Sequence, residues 1–383
     1  MVIDYIKCNI GKVIIIHDIN KKTKKLFKEE NNILVDLTED ELKYVNSLFK
    51  TNSGYTYNDE LEQIVLNNPN IDNKEYIINF LKWLESIIPK NCTDNFYRNV
   101  KTLKTKLNLD VVLKPKKLEE NENYFVSGGY DTINNILTID CECLRYLHEI
   151  ATKSSNPQET FNREYAAILL HELSHMASSR YDPSTKVSLC GFDKYPSTTE
   201  EDINRGLTEG MTEVIAKSGV PGTIEIASGY YIEALIVNQL SQILGFNIML
   251  ESYFGNKGTK ELERKLNTII DDSNMSYLLF RRIETNYELG NRDMEQSILG
   301  NVQNNLITYL IAKIERDKNS ENFNIESTFK TLNLFEKFLI TEETLKTIQK
   351  NPNNYVGINE SVEIFQHYKK EFEKEYINLE VKH

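Results

Sequence analysis

Near the start of the chain, apolar residues occur in short runs in which they alternate with polar residues. Residues 2–19 hold two such runs around a turn at 9–11, and residues 32–36 hold a third, after a polar connection rich in Lys and Asn. Alternation with a period of two is typical of strands with one buried face. The pattern therefore predicts β-strands at this end of the chain, and residues 111–113 begin a second strand region.

Most of the remaining chain has its apolar residues at helical spacing. Thr38 and Glu41 have the spacing of a capping box, which predicts a helix to about residue 49. The helical spacing of apolar residues also predicts helices near residues 58–67, 73–88 and 92–107, and throughout the segment beyond Tyr230. Residues 178–199 are polar and carry turn-forming Pro and Gly, so we predict a loop there. The predicted fold class is α+β.

A helix predicted to begin near Pro157 carries the most specific motif of the sequence. Asn156 and Glu159 have capping-box spacing at its start, and the segment His171-Glu172-Leu173-Ser174-His175 lies further along it. Residues four apart leave an α-helix on the same face, about one turn from each other, which suits two ligands of one metal ion. The opposite face is apolar and predicted to enter the core, with Ala166, Leu169, Leu173 and Met176.

Glu172 lies about 100° around the helix from His171, which is too far for it to share the metal but close enough to hold a metal-bound water. This placement favours a general base. The alternative is a structural helix whose histidines form hydrogen bonds within the core.

A second predicted helix, from about residue 205 to a stop near Gly219, supplies the carboxylate that a three-ligand site needs. Glu209 and Glu213 lie one turn apart on it, and we predict Glu209 as the third ligand. Glu213 is predicted to accept the remaining N–H of a ligating histidine. Glycines at 206 and 210 are expected to let the first helix approach closely. The alternative is that both glutamates belong to a solvated acidic face.

The His-Glu-x-x-His helix followed by a helix that opens in Glu-Gly resembles the gluzincin zinc metallopeptidases, over residues 124–216. The resemblance implies that Glu209 is the third zinc ligand and that Glu213 occupies the acidic position of thermolysin-like members. Leu207-Thr208-Glu209-Gly210 is also similar to the Leu-Asn-Glu-Gly of the aminopeptidase branch. That branch spaces its ligands more closely, and its Gly-x-Met-Glu-Asn motif is not found in this sequence. We therefore expect an endopeptidase.

The resemblance also implies one Zn²⁺ ion and a zincin-like core. Zinc would lower the pKa of its water, and Glu172 would accept the proton and pass it to the leaving amine. A tyrosine or histidine after the ligand helix usually stabilises the oxyanion in this group, and Tyr230 or Tyr231 occupies a suitable position. The alternative is that both are core or rim residues among the 21 tyrosines of the chain.

Residues 123–140 form two alternating runs around turn-forming residues, which predicts a hairpin before the metal helix. In zinc peptidases of this type the strand before that helix is a sheet edge that pairs with an extended substrate. We predict this edge at residues 133–139. A purely structural hairpin is the alternative.

The strand region that begins at residue 111 and leads to the metal helix predicts a division of the chain into two regions. We expect an N-terminal α+β region at residues 1–110, to which the sequence assigns no role, and a zincin-like catalytic region at residues 111–383. Within the latter, residues 111–200 would hold the sheet and the metal helix, and residues 201–383 a helical lobe with the glutamate ligand.

Composition and charge limit the classes of partner that the protein is expected to bind. The formal net charge of −12 argues against nucleic acid, because phosphate binding relies on clustered Lys and Arg. The start of the chain has no signal-peptide pattern, and the most apolar stretch, residues 224–250, is interrupted by polar residues. Five cysteines without a metal or disulfide spacing suggest reduced thiols. We expect a cytoplasmic protein with no membrane partner and a peptide or protein substrate, and the oligomeric state is left open.

Two other functions are compatible with this sequence. One is a peptide-binding or regulatory protein that retains zinc without catalysis. Glu172 argues against it, because a structural zinc site needs ligands but no base. The other is a host-directed toxin or effector protease, in which the N-terminal region would serve as a targeting module.

Overall fold

The computed structural model describes most of the chain. The described residues are 2–8, 11–18, 23–30, 33–51, 73–106, 112–114, 128–133, 135–140, 147, 150–196, 203–222, 229–255, 257–289, 297–321 and 323–380. The fold is α+β, as predicted, with small sheets and a majority of helix. The predicted helix at 58–67 lies outside the described residues.

The chain forms two compact units. The first comprises residues 1–76, 106–129 and 137–165, and the second comprises residues 77–105, 130–136 and 166–383. Most of the two helices at 73–106, which we placed in the N-terminal region from the sequence, belongs to the second unit.

The first unit begins with an antiparallel four-stranded sheet. Its strands are β1 (Val2–Cys8), β2 (Gly11–Asp18), β3 (Thr23–Glu30) and β4 (Ile33–Asp36), and they lie in sequence order. Three of these confirm the predicted strands. The prediction of a polar connection before residue 32 was wrong, because β3 pairs through its backbone with β2 on one side and β4 on the other. Ladder hydrogen bonds use the main chain and therefore accept a Lys-rich sequence.

The helix α1 (Glu39–Thr51) follows with the predicted capping box. The backbone N–H of Glu41 donates to Thr38 Oγ1 at 3.3 Å, and the N–H of Thr38 donates to Glu41 Oε2 at 2.9 Å. Lys28 of β3 forms an ion pair with the same carboxylate at 2.7 Å. The start of the helix is thus tied to the sheet.

A second sheet contains β5 (Val112–Lys114), β6 (Gly128–Asp131) and β7 (Ile136–Asp140), in the order β5-β7-β6. The prediction that residues 133–139 form a sheet edge was wrong. Ile133 lies in the turn, where its N–H donates to Asp131 Oδ1 at 2.9 Å, and β7 has a neighbour on each side, β5 being parallel to it. A central strand has no free row of main-chain groups to offer a substrate.

The helices α2 (Asn73–Ile87), α3 (Thr93–Lys106) and α4 (Pro157–Ser178) confirm the predicted ones at these places. After α4, the predicted loop is instead an antiparallel three-stranded sheet in the order β10-β9-β8, with β8 (Arg180–Asp182), β9 (Val187–Cys190) and β10 (Asp193–Tyr195). Strands of three or four residues are too short to show alternation, so the sequence gives no signal of them.

From residue 205 onward, the described chain is helical, as predicted. The helices are α5 (Arg205–Gly219), α6 (Tyr231–Leu244), α7 (Phe246–Phe254), α8 (Lys260–Asn267), α9 (Ser273–Leu289), α10 (Ile298–Lys318), α11 (Ile325–Lys337), α12 (Glu342–Thr347) and α13 (Ile358–Glu380). Helix α10 packs on α9 and α13, and α5 packs on α6 and α9. Within the described part of the chain, no helix combines the length and apolar character needed to cross a membrane.

The glycines of α5 allow close helix packing, but with different partners from the ones we predicted. A Cβ at Gly210 would lie 2.5 Å from the backbone oxygen of Glu233 in α6, and one at Gly206 would lie 2.7 Å from Cβ of Tyr287 in α9. The prediction that these glycines admit the metal helix was therefore wrong. They set the contact of α5 with α6 and α9.

Candidate metal centre

Helix α4 brings the two histidines into the interior of the second unit. Ala166, Leu169, Leu173 and Met176 are buried, as predicted for the face opposite the histidines. The histidine face is also covered, since His171 and His175 are only 7% and 9% exposed. The two histidines therefore lie in a site largely shielded from water.

At the start of α4, the side chains of Asn156 and Glu159 are joined by a hydrogen bond of 2.7 Å.

Three ligand atoms from α4 and α5 converge on one point. His171 Nε2, His175 Nε2 and Glu209 Oε2 are separated by 3.2 Å, 3.1 Å and 3.3 Å. With metal bonds of about 2.0–2.1 Å, a regular tetrahedron has edges of about 3.3–3.4 Å, while an octahedron has edges of about 2.8–3.0 Å. The observed triangle is closer to a tetrahedral face. These three residues could hold a metal ion, and a tetrahedral ion would have one further position for a water molecule.

Charge interactions at the three ligands are strong because the site is buried. Burial opposes the charged form of His171, but hydrogen bonds to Glu209 and Glu213 outweigh it and raise its pKa to about 9. Burial opposes ionisation of Glu209 as well, but the charge of His175 and hydrogen bonds from both histidines hold its pKa well below the usual value. The positive charges beside Glu209 keep its side chain ionised, as a bound cation would.

Each histidine has a second polar neighbour on its other ring nitrogen. Nδ1 of His171 lies 3.2 Å from Glu213 Oε2, the pairing expected for a carboxylate that fixes the tautomer of a ligand. Lys217, one turn beyond Glu213, lies 3.6 Å from its other oxygen. Nδ1 of His175 lies 3.3 Å from the sulfur of Cys190, at the end of β9.

We did not predict Cys190 from the sequence. It lies 15 residues after His175 on a strand that the sequence does not signal, and no spacing rule links a strand residue to a helix before it. The one sequence signal for Cys190 was its place as a side chain that can form hydrogen bonds, in the segment between α4 and α5.

Glu172 lies beside the ligands without joining them. It is 5% exposed, and it forms no hydrogen bond with the residues that the structure describes. Burial raises the pKa of its carboxyl, the charges of His171 and His175 lower it, and that of Glu209 raises it, with a net upward shift. Its carboxylate is therefore free to accept a proton.

Of the two candidate tyrosines, Tyr230 contacts a candidate ligand directly. The Tyr230 ring stacks on the His171 ring, with centroids 5.5 Å apart and planes 15° apart. Tyr231, the first residue of α6, has Lys217 Nζ 4.8 Å from its ring centroid.

A third tyrosine, Tyr287 of α9, also lies close and was not predicted. Its ring centroid is 6.3 Å from that of Tyr230. Burial and the charge of Glu209 both raise its pKa, and the charge of Glu209 is the largest cause of the raised pKa of Tyr230. Both phenols are thus held in their protonated, hydrogen-bond-donating form beside the carboxylate ligand. Contacts between α9 and α5 depend on packing, which the sequence pattern does not contain.

Comparisons with known proteins add no relative. No protein-family model, curated protein or solved structure matches this chain.

Proposed function

We propose that this protein is a zinc-dependent peptidase, of the gluzincin type and with a zincin-like core, that hydrolyses peptide bonds. One observation carries the proposal. Two imidazole nitrogens and one carboxylate oxygen lie 3.1–3.3 Å from one another in a buried site, beside a carboxylate, Glu172, that forms no hydrogen bond with the described residues. A structural metal site requires only its ligands, whereas hydrolysis also requires a base.

The donor set favours zinc. Two neutral imidazoles and one carboxylate, spaced like one face of a tetrahedron, suit Zn²⁺ better than Mg²⁺ or Ca²⁺, which prefer oxygen ligands. His171, His175 and Glu209 would hold the ion. When bound, zinc supplies Lewis acidity that activates a water molecule and polarises the carbonyl under attack.

Glu172 would act as the general base and then as the general acid. Its raised pKa increases its affinity for a proton taken from the attacking water. Because it is 5% exposed and adjoins both histidines, the same carboxyl can hold that proton away from bulk solvent and deliver it to the leaving nitrogen. One residue would thereby serve both halves of the reaction.

Tyr230 is the better placed of the two predicted tyrosines to donate a hydrogen bond to the oxyanion. Its ring stacks on a proposed ligand, and its pKa lies well above the usual value, so its hydroxyl keeps its proton. Tyr231, whose ring contacts Lys217 Nζ, is the second candidate for this role.

The test compares the wild type with Glu172→Gln, which preserves shape and removes the base. Bound zinc is measured by elemental analysis, and cleavage of a mixed peptide library is measured with and without a chelator. Zinc in both proteins, and chelator-sensitive cleavage that Glu172→Gln lowers by about 10²–10⁴-fold, is the expected result. Glu360→Gln, at an exposed position of α13, is the matched control and should cleave like the wild type.

The remaining outcomes separate the alternatives. Stoichiometric zinc without cleavage by either protein would overturn the peptidase and favour the zinc-retaining binding protein. Absence of zinc from correctly folded wild type would overturn the metal centre itself.

A further inference from the structure

The far side of the His175 ring contacts a thiol. Nε2 of His175 faces the other two candidate ligand atoms, at 3.2 Å and 3.3 Å. When a metal ion is bound there, the lone pair of Nε2 would bind the ion, and the ring proton would then be on Nδ1. Cys190 Sγ lies 3.3 Å from that Nδ1. The sulfur is on the opposite side of the ring from the metal position, so it can accept the Nδ1 proton but cannot ligate the same ion.

The thiol has partners for its own proton. Cys190 Sγ lies 3.8 Å from the backbone oxygen of His175 and 3.8 Å from Ser178 Oγ. The S–H group can therefore donate within α4 while the sulfur accepts from the ring. Such an arrangement needs no charge on the sulfur.

The turn after Cys190 is built to hold this position. Gly191 has a φ of +58°, which favours glycine, and its N–H donates to Ser178 Oγ at 3.1 Å. A Cβ at Gly191 would lie 2.5 Å from Cε2 of Tyr253, a fully buried residue of α7. Both the backbone conformation and the packing therefore restrict where Cys190 can lie.

The same turn is bonded to the helix of the carboxylate ligand. Thr208, which precedes Glu209, donates through Oγ1 to the backbone oxygen of Cys190 at 3.4 Å, and it accepts from the N–H of Phe192 at 3.1 Å. Asn204 Nδ2 donates to the backbone oxygen of Phe192 at 3.3 Å. Residues 190–192 thus contact His175 on one side and the neighbour of Glu209 on the other.

We propose that Cys190 is a positioning residue of the metal centre: its thiol holds His175 in the Nδ1-protonated tautomer, and the turn at residues 190–192 fixes His175 relative to Glu209. The proposal rests on the metal centre of the proposed function. It makes the two histidines unequal, because a carboxylate supports His171 whereas a thiol, which is a weaker acceptor, supports His175.

The experiment measures metal binding, with no need for peptide hydrolysis. The full chain is stripped of metal, and its Zn²⁺ affinity is determined by competition with a chromophoric chelator for the wild type, Cys190→Ala, Cys190→Ser and Cys92→Ala. Cys92 is the matched control, since it is buried and its sulfur contacts Asn91 and the backbone of Glu251. The visible spectrum of the Co²⁺-loaded proteins reports the ligand geometry.

Cys190→Ala should weaken Zn²⁺ binding by about 10–100-fold and change the cobalt spectrum. Cys190→Ser, whose hydroxyl can still accept the Nδ1 proton, should recover part of the affinity, and Cys92→Ala should match the wild type. Circular dichroism of the metal-free proteins checks that they fold. If Cys190→Ala does not fold, the comparison of Cys190→Ser with the wild type serves as the test.

Equal affinity and equal spectra for wild type and both Cys190 variants would overturn the positioning role while the metal centre stands. A thiolate-to-cobalt charge-transfer band that disappears in Cys190→Ala would also overturn it, in favour of direct ligation. Failure of every protein, including the wild type, to bind metal would overturn the proposed function instead.

Discussion

The outer neighbours of the two histidines differ in chemistry, and this difference can be measured at single residues. Glu213 Oε2 lies 3.2 Å from His171 Nδ1, where a carboxylate both fixes the ring and strengthens it as a donor. The one-turn spacing of Glu209 and Glu213 in the sequence predicts this pairing.

Replacing the carboxylate with an amide should therefore weaken the metal centre. For Glu213→Gln we expect Zn²⁺ affinity to fall by about 10–100-fold, because a neutral amide oxygen is a poorer acceptor. Chelator competition measures the change, with Glu360→Gln as the control. Unchanged affinity would mean that Glu213 does not support the ligand.

Glu233 of α6 illustrates the cost of a buried carboxyl near this centre. It is 8% exposed, and burial is the main reason why its pKa rises to about 7, with the charge of Glu209 adding to the effect. A carboxyl whose pKa is higher in the folded state opposes folding as the pH rises. The cost is absent well below the unfolded pKa and complete above the folded one.

The variant Glu233→Gln should accordingly be more stable than the wild type at high pH only. Each unit of pKa shift corresponds to about 1.4 kcal/mol, so we expect a gain of up to about 3 kcal/mol at pH 8 and less than about 1 kcal/mol at pH 5. Urea unfolding of the metal-free proteins at both pH values measures the difference. A gain of the same size at both would show that ionisation is not its cause.

At the scale of elements, the two ligand helices were predictable, but their surroundings were not. Caps and apolar periodicity give the bounds of α4 and α5 from local sequence, because both signals depend on residues within a few positions of each other. The sheet β8–β10 between these helices lacks such a signal, and the glycines of α5 turned out to contact α6 and α9.

Close packing of α5 on α6 should be sensitive to a single methyl group. In Gly210→Ala the new Cβ would lie 2.5 Å from the backbone oxygen of Glu233, which cannot move without moving α6. We expect a loss of about 1–3 kcal/mol in unfolding free energy by urea denaturation, and weaker Zn²⁺ binding because Glu209 is the adjacent residue. Gly229→Ala is the control, since a Cβ there meets no atom of the described residues within 4 Å. Equal stability of both variants would show that α5 and α6 can separate at little cost.

At the scale of the whole molecule, metal binding should be coupled to pH. Without metal, hydrogen bonds to Glu209 and Glu213 outweigh burial and keep the pKa of His171 near 9, so its ring is protonated at neutral pH. A ligating imidazole must be neutral, and zinc therefore has to displace that proton. The affinity should rise as the pH increases toward 9 and fall as it decreases.

This coupling predicts the release of about one proton or more for each zinc bound at pH 7. Calorimetric titrations in two buffers with different ionisation enthalpies measure it, because the released protons add buffer heat to the observed enthalpy. Identical observed enthalpies in the two buffers would contradict the prediction.

The sequence by itself determined the α+β class, the metal helix and the candidate ligands. Two histidines four residues apart share a helix face whatever surrounds them, and a glutamate on a second predicted helix completes the donor types that one metal ion needs. Tertiary structure decided the rest. Contacts between segments distant in the chain determine which tyrosine stacks on His171, which thiol contacts His175 and which strand has a free edge. Such contacts follow from packing in three dimensions, on which local spacing has no bearing.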